Sequence, residues 1–242
     1  MKRILLLLTC VTMTLSVFSQ DMPAIDKINT SSGVVEMHFI GHGSLLFSIN
    51  NFFIYIDPVR SSGAYDNLPK ADLILVTHEH GDHLDPDLIN TLRKDATVML
   101  SSEKAAASVS WARIMKAGDM NVVNGISVLA VPAYNIKNMR VPGQPYHPKG
   151  DGNGYVLTIG DKKIYVAGDT ENIPEMKDLK NIDVAFLPMN LPYTMTPEMV
   201  ADAAKSFKPA ILYPYHYGST NTATIINLLK DSGIEVRIRN LK

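Results

Sequence analysis

A short apolar run that ends in a dense polar cluster constrains this chain most. Residues 73–76, LILV, lead directly into residues 77–85, THEHGDHLD, which hold three histidines and three acidic residues in nine positions. An apolar run of this length bounded by polar residues is typical of a buried strand. The cluster is therefore predicted at the end of a strand, on the rim of a sheet, where a rigid scaffold can position reactive side chains.

The spacing inside the cluster is suited to metal ions. In an extended segment His78 and His80 project to the same side, so both imidazoles can reach one ion. Gly81 allows the backbone to turn, which directs Asp82 and His83 towards a neighbouring point. One segment thus offers ligands for two ions.

The order of predicted elements indicates an α/β fold. Strands followed by helices occur twice, which predicts a four-layer αββα sandwich of two mixed sheets with helices on the outer faces. Two small α/β units fit the same pattern. Strands are predicted over residues 34–40, 44–49, 52–57, 72–77, 97–100, 126–132, 155–159, 163–167, 184–188, 210–215 and 235–238, and helices over 86–94, 103–116, 197–207 and 222–231.

The long segment between the two halves is predicted to be an irregular loop. Residues 134–153 are rich in proline, glycine and asparagine. Loops of this length inside a compact domain usually carry function.

The first twenty residues are typical of an export signal. Lys2 and Arg3 precede an apolar stretch, residues 4–18, that is short for a membrane span. We predict a signal peptide over residues 1–20 and a single domain over residues 21–242. The protein is expected to be secreted or periplasmic, with no stable membrane insertion after signal removal.

Cysteine content and charge limit the partners and ligands. Cys10 is the sole cysteine of the chain, so no metal ligand of the predicted mature protein is a thiolate. Removing Lys2 and Arg3 leaves 21 of the 23 basic residues against 24 acidic ones, a formal charge of −3. This balance argues against nucleic acid as the main partner.

Further ligands must come from outside the cluster. Four other histidines exist: His38, His42, His147 and His216. His216 follows the predicted strand 210–215, and Asp169 follows the strand 163–167, so both are expected at a sheet rim. A carboxylate such as that of Asp169 can also bridge two cations.

The motifs together resemble the metallo-β-lactamase fold superfamily. Residues 77–83, THEHGDH, are similar to its HxHxDH signature, and residues 168–170 (GDT) and 215–216 (YH) fall where the superfamily has its bridging aspartate and last histidine. Residues 41–44 (GHGS) and 56–58 (IDP) resemble the opening hairpin of the branch of small hydrolases related to L-ascorbate-6-phosphate lactonase.

The resemblance implies a set of ligands. It implies a first ion held by His78, His80 and a further histidine, and a second ion held by a second group of side chains, with an aspartate bridging the two. The further histidine is absent from the position near residues 134–135 where many members have it. His147 is predicted to take this role, with Asn135 as the alternative. The implied second group is Asp82, His83 and His216, and the bridging residue is Asp169.

The ligand types suit zinc first, with manganese, iron and nickel as alternatives. Two such ions can lower the pKa of a shared water to about 7. Asp82 and Asp169 would orient the resulting metal-bound hydroxide as well as bind metal. We therefore expect a metal-dependent hydrolase that cleaves an ester, lactone or phosphoester of a small molecule. A β-lactamase-type amide hydrolase and a non-hydrolytic metal-binding or di-iron redox protein are the alternatives.

Several polar residues near the cluster are assigned structural roles. His38 and His42 are interpreted as core or surface groups rather than ligands. Glu79 lies between two ligands and is expected to point away from them. Asp57 is expected to orient a ligand histidine through its other ring nitrogen.

Overall fold

The computed structural model of the protein describes residues 25–242, so the predicted signal peptide lies outside the described part. Its first sheet has seven strands in chain order, antiparallel from β1 to β4 and parallel from β4 to β7. The strands are β1 (Ile25–Thr30), β2 (Gly33–Gly41), β3 (Ser44–Ile49), β4 (Phe52–Ile56), β5 (Leu73–Val76), β6 (Val98–Ser101) and β7 (Arg113–Ile114).

The second half of the chain forms a second seven-stranded mixed sheet and a separate hairpin. The strands that follow β7 are β8 (Met120–Val123), β9 (Ile126–Ala133), β10 (Met139–Val141), β11 (Gln144–Pro145), β12 (Gly152–Ile159), β13 (Lys162–Val166), β14 (Val184–Pro188), β15 (Ile211–Tyr215) and β16 (Glu235–Val236). The sheet order is β16-β15-β14-β13-β12-β9-β8, and β10 pairs only with β11. Strands β13 to β16 run parallel.

In the part of the chain that the structure describes, four α-helices accompany the sheets. They are α1 (Pro86–Leu92), α2 (Glu103–Ala106), α3 (Pro197–Phe207) and α4 (Thr222–Leu229). Asp85 caps α1 by accepting from the Leu88 amide, and Thr196 caps α3 by accepting from the Met199 amide. Each cap satisfies an amide that the first turn of a helix leaves unpaired. Among residues 25–242, no helix combines the length and the apolar character needed to cross a bilayer.

Alternating side chains of each strand produce the layers. In β3, Phe47 belongs to the core between the two sheets, together with Phe186 of β14. The neighbouring Leu46 points to the other face, where it joins Leu88 and Ile89 of α1 in a second apolar cluster. This period of two is what a strand buried on both faces requires. The predicted four-layer arrangement is confirmed, with two mixed sheets face to face.

Three local predictions differ from the structure. The helix predicted over 103–116 is wrong beyond α2, because residues 107–112 form turns and Arg113–Ile114 pairs with β6 instead. Serine and valine at positions 108–110 have weak helix propensity, so the pairing of residues 113–114 with β6 determines the structure of this segment. The predicted irregular loop 134–153 contains the β10–β11 hairpin. Strands β1 and β8 went unpredicted, since each is half exposed and lacks an apolar run.

One carboxylate ties the first sheet to the second. Asp26 of β1 accepts two hydrogen bonds of 2.6 Å from Nη2 of Arg239 and another from the hydroxyl of Tyr213 in β15. Burial alone would raise the pKa of Asp26, but the bonds from Arg239 and Tyr213 outweigh it and hold this pKa below its usual value. The ionised form of Asp26 is therefore the form that the folded protein stabilises.

Replacing Asp26 with asparagine is expected to lower the free energy of unfolding at pH 7 by about 1.5–3 kcal/mol, the range for hydrogen bonds to a charged group. The folded-state pKa is lower than the unfolded-state value near 3.8. The stabilisation is thus complete above that value and is lost as pH falls through the folded-state pKa. Urea unfolding of both proteins between pH 7 and pH 3 measures the difference. A difference that does not narrow below about pH 4 would contradict this role.

Candidate metal centre

All seven predicted ligands converge at one rim, where strands of both sheets end. His78, His80, Asp82 and His83 follow β5, and His147 follows the hairpin strand β11. The remaining two come from the second sheet, where Asp169 follows β13 and His216 follows β15. Carboxyl ends of parallel strands meet at the same edge, so the fold itself brings these side chains together.

The first cluster consists of His78, His80 and His147. Nε2 of His78 and Nε2 of His147 each lie 3.2 Å from Nδ1 of His80. The three donor atoms fall within one sphere that could hold a metal ion. His78 and His147 are buried, and His80 is half-buried at the opening. The structure thus places His147 where a third histidine was expected.

The second cluster contains Asp82, His83 and His216. Nε2 of His216 lies 3.4 Å from Oδ2 of Asp82, and Nε2 of His83 lies 4.0 Å from the same oxygen. His42, which the sequence interpretation set aside, belongs to this cluster as well. The side chain of Asp82 is 50% exposed while His83 is fully buried, so this cluster faces solvent through Asp82.

Asp169 lies between the two clusters. Its carboxylate oxygens are 3.3 Å from Nε2 of His147 and 3.9 Å from Nε2 of His78. On the other side they are 3.4 Å from Nε2 of both His83 and His216. A buried carboxylate surrounded by four imidazoles is the arrangement that a bridging ligand requires.

The buried Asp57 carboxylate fixes the orientation of His83. Its Oδ2 accepts from Nδ1 of His83 at 2.7 Å and from the Thr77 hydroxyl at 2.7 Å, and its Oδ1 accepts from the Thr77 amide at 2.7 Å. With Nδ1 donating to Asp57, Nε2 of His83 points to the centre. Ligand histidines commonly donate their other ring nitrogen to a carboxylate in this way. The structure agrees with the predicted role of Asp57.

Asn135 has a corresponding role beside His147. Its Oδ1 accepts from Nδ1 of His147 at 2.6 Å and from the His147 amide at 2.8 Å. Its amide nitrogen donates to Glu171 at 3.3 Å and to the Tyr193 carbonyl at 2.9 Å. Because this oxygen is engaged by His147, the geometry makes Asn135 an orienting group and leaves Nε2 of His147 free for the centre.

The shifted pKa values of His78, His80 and Asp169 favour metal binding. Burial first, and the neighbouring His83 second, hold the pKa of His78 well below its usual value; burial and then His147 lower the pKa of His80. Burial would raise the pKa of Asp169, but His216 and His83 outweigh it and hold that pKa well below its usual range. Neutral imidazoles and an ionised carboxylate are the forms that bind metal.

The pKa of His83 is shifted in the opposite direction to those of His78 and His80. Burial would lower its pKa, but the carboxylates of Asp169 and Asp57 outweigh burial and raise the pKa of His83 well above its usual value. The metal-free protein therefore holds a proton on Nε2 of His83 at neutral pH, and an ion that binds there must displace it.

Two buried polar atoms without hydrogen-bond partners indicate whether the site suits a metal ion. Within residues 25–242, Nε2 of His83 and Oδ1 of Asp169 are buried without a hydrogen-bond partner. Buried polar atoms left without partners are uncommon and costly. Both atoms face the centre 3.4 Å apart, and their nitrogen and oxygen chemistry suits a divalent ion. The donor set thus fits the expected metal.

Two other polar residues lie outside the clusters. His38 is 3.9 Å from Glu36 on the same strand, in agreement with a role at the surface. Glu79 lines the opening of the first cluster and lies 3.7 Å from Lys104.

Comparison with known proteins identifies the family. A family model described as the beta-lactamase superfamily domain matches residues 36–216. The chain belongs to the beta-lactamase superfamily. This superfamily chain is 34% identical over 197 residues to a UPF0173 metal-dependent hydrolase of Enterococcus faecalis, covering 76% of this chain and 87% of that protein.

Two solved structures resemble this chain. A crystal structure from Parabacteroides distasonis, described as a metal-dependent hydrolase, is 48% identical with a TM-score of 0.86, covering 90% of this chain and 99% of that one. Igni18, a metallo hydrolase of Ignicoccus hospitalis, is 22% identical with a TM-score of 0.71, covering 86% and 95%, and shares the fold. The predicted superfamily is confirmed, whereas the likeness to the lactonase branch stays a prediction.

Sequence reasoning missed two members of this site. Glu171 is buried and accepts from the amides of Lys137 and Asn138 as well as from Asn135. Its place directly after residues 168–170 was an available signal, since an acidic residue next to a buried ligand needs partners. His42 carried a weaker signal, its position between two glycines.

Proposed function

We propose that the protein is a metal-dependent hydrolase of small molecules with two divalent ions, most suitably zinc, in the two clusters. His78, His80 and His147 would hold one ion, a second set of side chains would hold the other, and Asp169 would bind both. The second set comprises Asp82, His83 and His216. The bond cleaved would be an ester, lactone or phosphoester.

The observation that carries this proposal is the buried Asp169 carboxylate among four imidazoles. Imidazoles of the two clusters lie on either side of this carboxylate, so Asp169 could bind an ion in each cluster. Bound ions of this kind would activate water at neutral pH and polarise the oxygen of the bond to be cleaved. The names of the relatives from E. faecalis and P. distasonis, both metal-dependent hydrolases, support the same reaction class.

Other residues of the chain would orient the ligand histidines and the attacking water, and would select the substrate. Asp57 and Asn135 hold the rings of His83 and His147 so that Nε2 of each faces the centre. Asp82, half exposed, would accept a hydrogen bond from the attacking water on the solvent side. A cavity of about 430 Å³ opens there between Asp82 and polar side chains such as Ser61 and Asn240, which supports a small polar substrate.

Elemental analysis joined to a turnover assay tests the proposal. The wild-type protein, loaded with zinc and dialysed, should contain about two ions per chain and hydrolyse at least one member of a panel of esters, lactones and phosphodiesters. His147→Ala should retain about one ion and lose that turnover. His38→Ala is the matched control, because His38 lies on β2 outside both clusters.

Other outcomes point to the alternatives. Full metal content in His147→Ala would show that His147 is not a ligand. A wild-type protein with a visible iron absorption band and no turnover on the panel would favour a redox protein. Metal well below one ion per chain would contradict the proposed centre altogether.

A further inference from the structure

We propose that His42 is a ligand of the second cluster, through Nε2, in addition to Asp82, His83 and His216. The inference rests on the proposed metal centre and adds to it a residue outside the HxHxDH segment. It also predicts that the two ions have unequal numbers of protein ligands.

The position of the imidazole is the first support. Nε2 of His42 lies 3.2 Å from Oδ2 of Asp82, and its ring lies over that of His216 with a centroid distance of 3.8 Å. Its donor atom falls within the same small sphere as those of Asp82, His83 and His216. Two ligands about 2.0–2.1 Å from one ion can be at most about 4.2 Å apart, and 3.2 Å satisfies this limit.

The hydrogen bond on the far side of the ring sets its chemistry. Nδ1 of His42 lies 2.9 Å from the backbone oxygen of Lys242. This oxygen only accepts, so Nδ1 carries the proton, and in a neutral imidazole Nε2 then presents a lone pair. This lone pair faces a carboxylate oxygen of Asp82. Two acceptors at that distance repel each other unless a proton or a metal ion lies between them, and a metal ion bound by both removes the repulsion.

The backbone around His42 is shaped to hold it against the centre. His42 has a left-handed backbone with φ of 51°, a conformation that is costly for a residue with a side chain and that often marks a functional site. A Cβ at Gly43 would lie 2.8 Å from Cε1 of His83, and a Cβ at Gly41 would lie 2.2 Å from the Ser62 carbonyl oxygen. Glycine at position 43 lets this turn pack against the ring of His83, and glycine at position 41 lets it pack against the backbone of Ser62.

The consequence is an asymmetric pair of donor sets. With His42, the second cluster has three imidazoles and two carboxylates, while the first has three imidazoles and the shared Asp169 alone. Zinc favours four ligands, whereas manganese, iron, cobalt and nickel readily accept six. The second position is therefore expected to accept ions of the latter group more readily than the first position, whose four ligands match the preference of zinc.

Cobalt substitution tests the assignment directly. In the dicobalt protein, each ligand imidazole gives a strongly shifted, solvent-exchangeable ring N–H signal in proton NMR. His42→Phe keeps a ring over His216 but has no donor atom, so one such signal should disappear. The affinity for the second cobalt ion, measured against a competing chelator, should fall by roughly 10- to 100-fold. The visible absorption of cobalt should become more intense as the number of ligands falls.

Two further variants keep the test decisive. His38→Phe makes the same substitution on β2, away from the clusters, and should change neither the NMR signals nor the affinity. His42→Gln is a smaller change and should also lose the shifted signal, so a folding defect in His42→Phe does not end the test. Solution folding of each variant is checked by circular dichroism without metal.

The outcomes separate this inference from the proposed function. If the wild-type protein binds two cobalt ions and both His42 variants keep every shifted N–H signal, His42 is not a ligand and acts only as a hydrogen-bond partner of Asp82. The metal centre would stand in that case. If the wild-type protein binds no cobalt, the proposed function itself fails.

Discussion

Replacing Asp169 with alanine is expected to abolish stable binding of both ions and to lower turnover by more than about 100-fold, the upper end of the cost of losing an outer partner of a ligand. Asp169 contacts two imidazoles of each cluster. Its removal also leaves His83, which carries a proton in the metal-free protein, without one of the two carboxylates that raise its pKa. Elemental analysis and turnover on the best substrate of the panel measure both effects.

Asp66→Ala is the control for that experiment, because Asp66 is an exposed aspartate outside the clusters. Circular dichroism of the metal-free proteins shows whether each variant folds. An Asp169→Ala protein that is folded and still holds about two ions would rule out the bridging role. One that holds a single ion would assign Asp169 to only one of the clusters.

Asp57→Asn is expected to destabilise the protein even without metal. Asp57 and His83 form an ion pair of 2.7 Å in which neither side chain is exposed. Removing one partner of a buried pair costs roughly 3–5 kcal/mol, because the remaining charge stays buried. Asparagine has the same shape and tolerates the left-handed backbone of Asp57, with φ of 45°. The substitution therefore changes charge and not conformation.

Urea unfolding in the presence of chelator measures the loss of stability, and Asp66→Asn is the matched control. A second effect should appear on metal binding, since the ring of His83 loses its orienting partner. The affinity of the second cluster is expected to fall by about 10- to 100-fold, while the first cluster should bind as before. Equal weakening of both clusters would contradict the role of Asp57 as the orienting partner of His83.

Sequence patterns predicted much of this centre because its residues lie at the ends of apolar strands. His78, His80, Asp169 and His216 each follow β5, β13 or β15 directly or within a few residues, and the strand runs are readable from the chain. They converge because β13 and β15 run parallel on either side of β14 and because the second sheet packs against the first, which contains β5. The resemblance to the superfamily added the assignment of ligands to two ions.

The contribution of loops could not be read in the same way. His147 lies beyond a hairpin that no apolar pattern predicted, and its position depends on hydrogen bonds to Asn135. His42 lies 200 residues from its partner Lys242, and no local pattern encodes such a contact. The sequence did not predict the exposed edge strands β1 and β8 for a related reason. These strands are stabilised by pairing with β2 and β9 rather than by their own composition.

The long sequence separation of the contacts in the centre has a consequence for the order of events in the cell. Asp82 contacts His216, which is 134 residues away in sequence, and His42 contacts the backbone oxygen of Lys242, which is 200 residues away. Contacts this distant form late, because most of the chain must already be ordered before its ends can meet. A nascent or half-folded chain would offer only the single segment from His78 to His83. Only a completely folded chain would thus bind both ions, so the number of bound ions would distinguish folded molecules from partly folded ones.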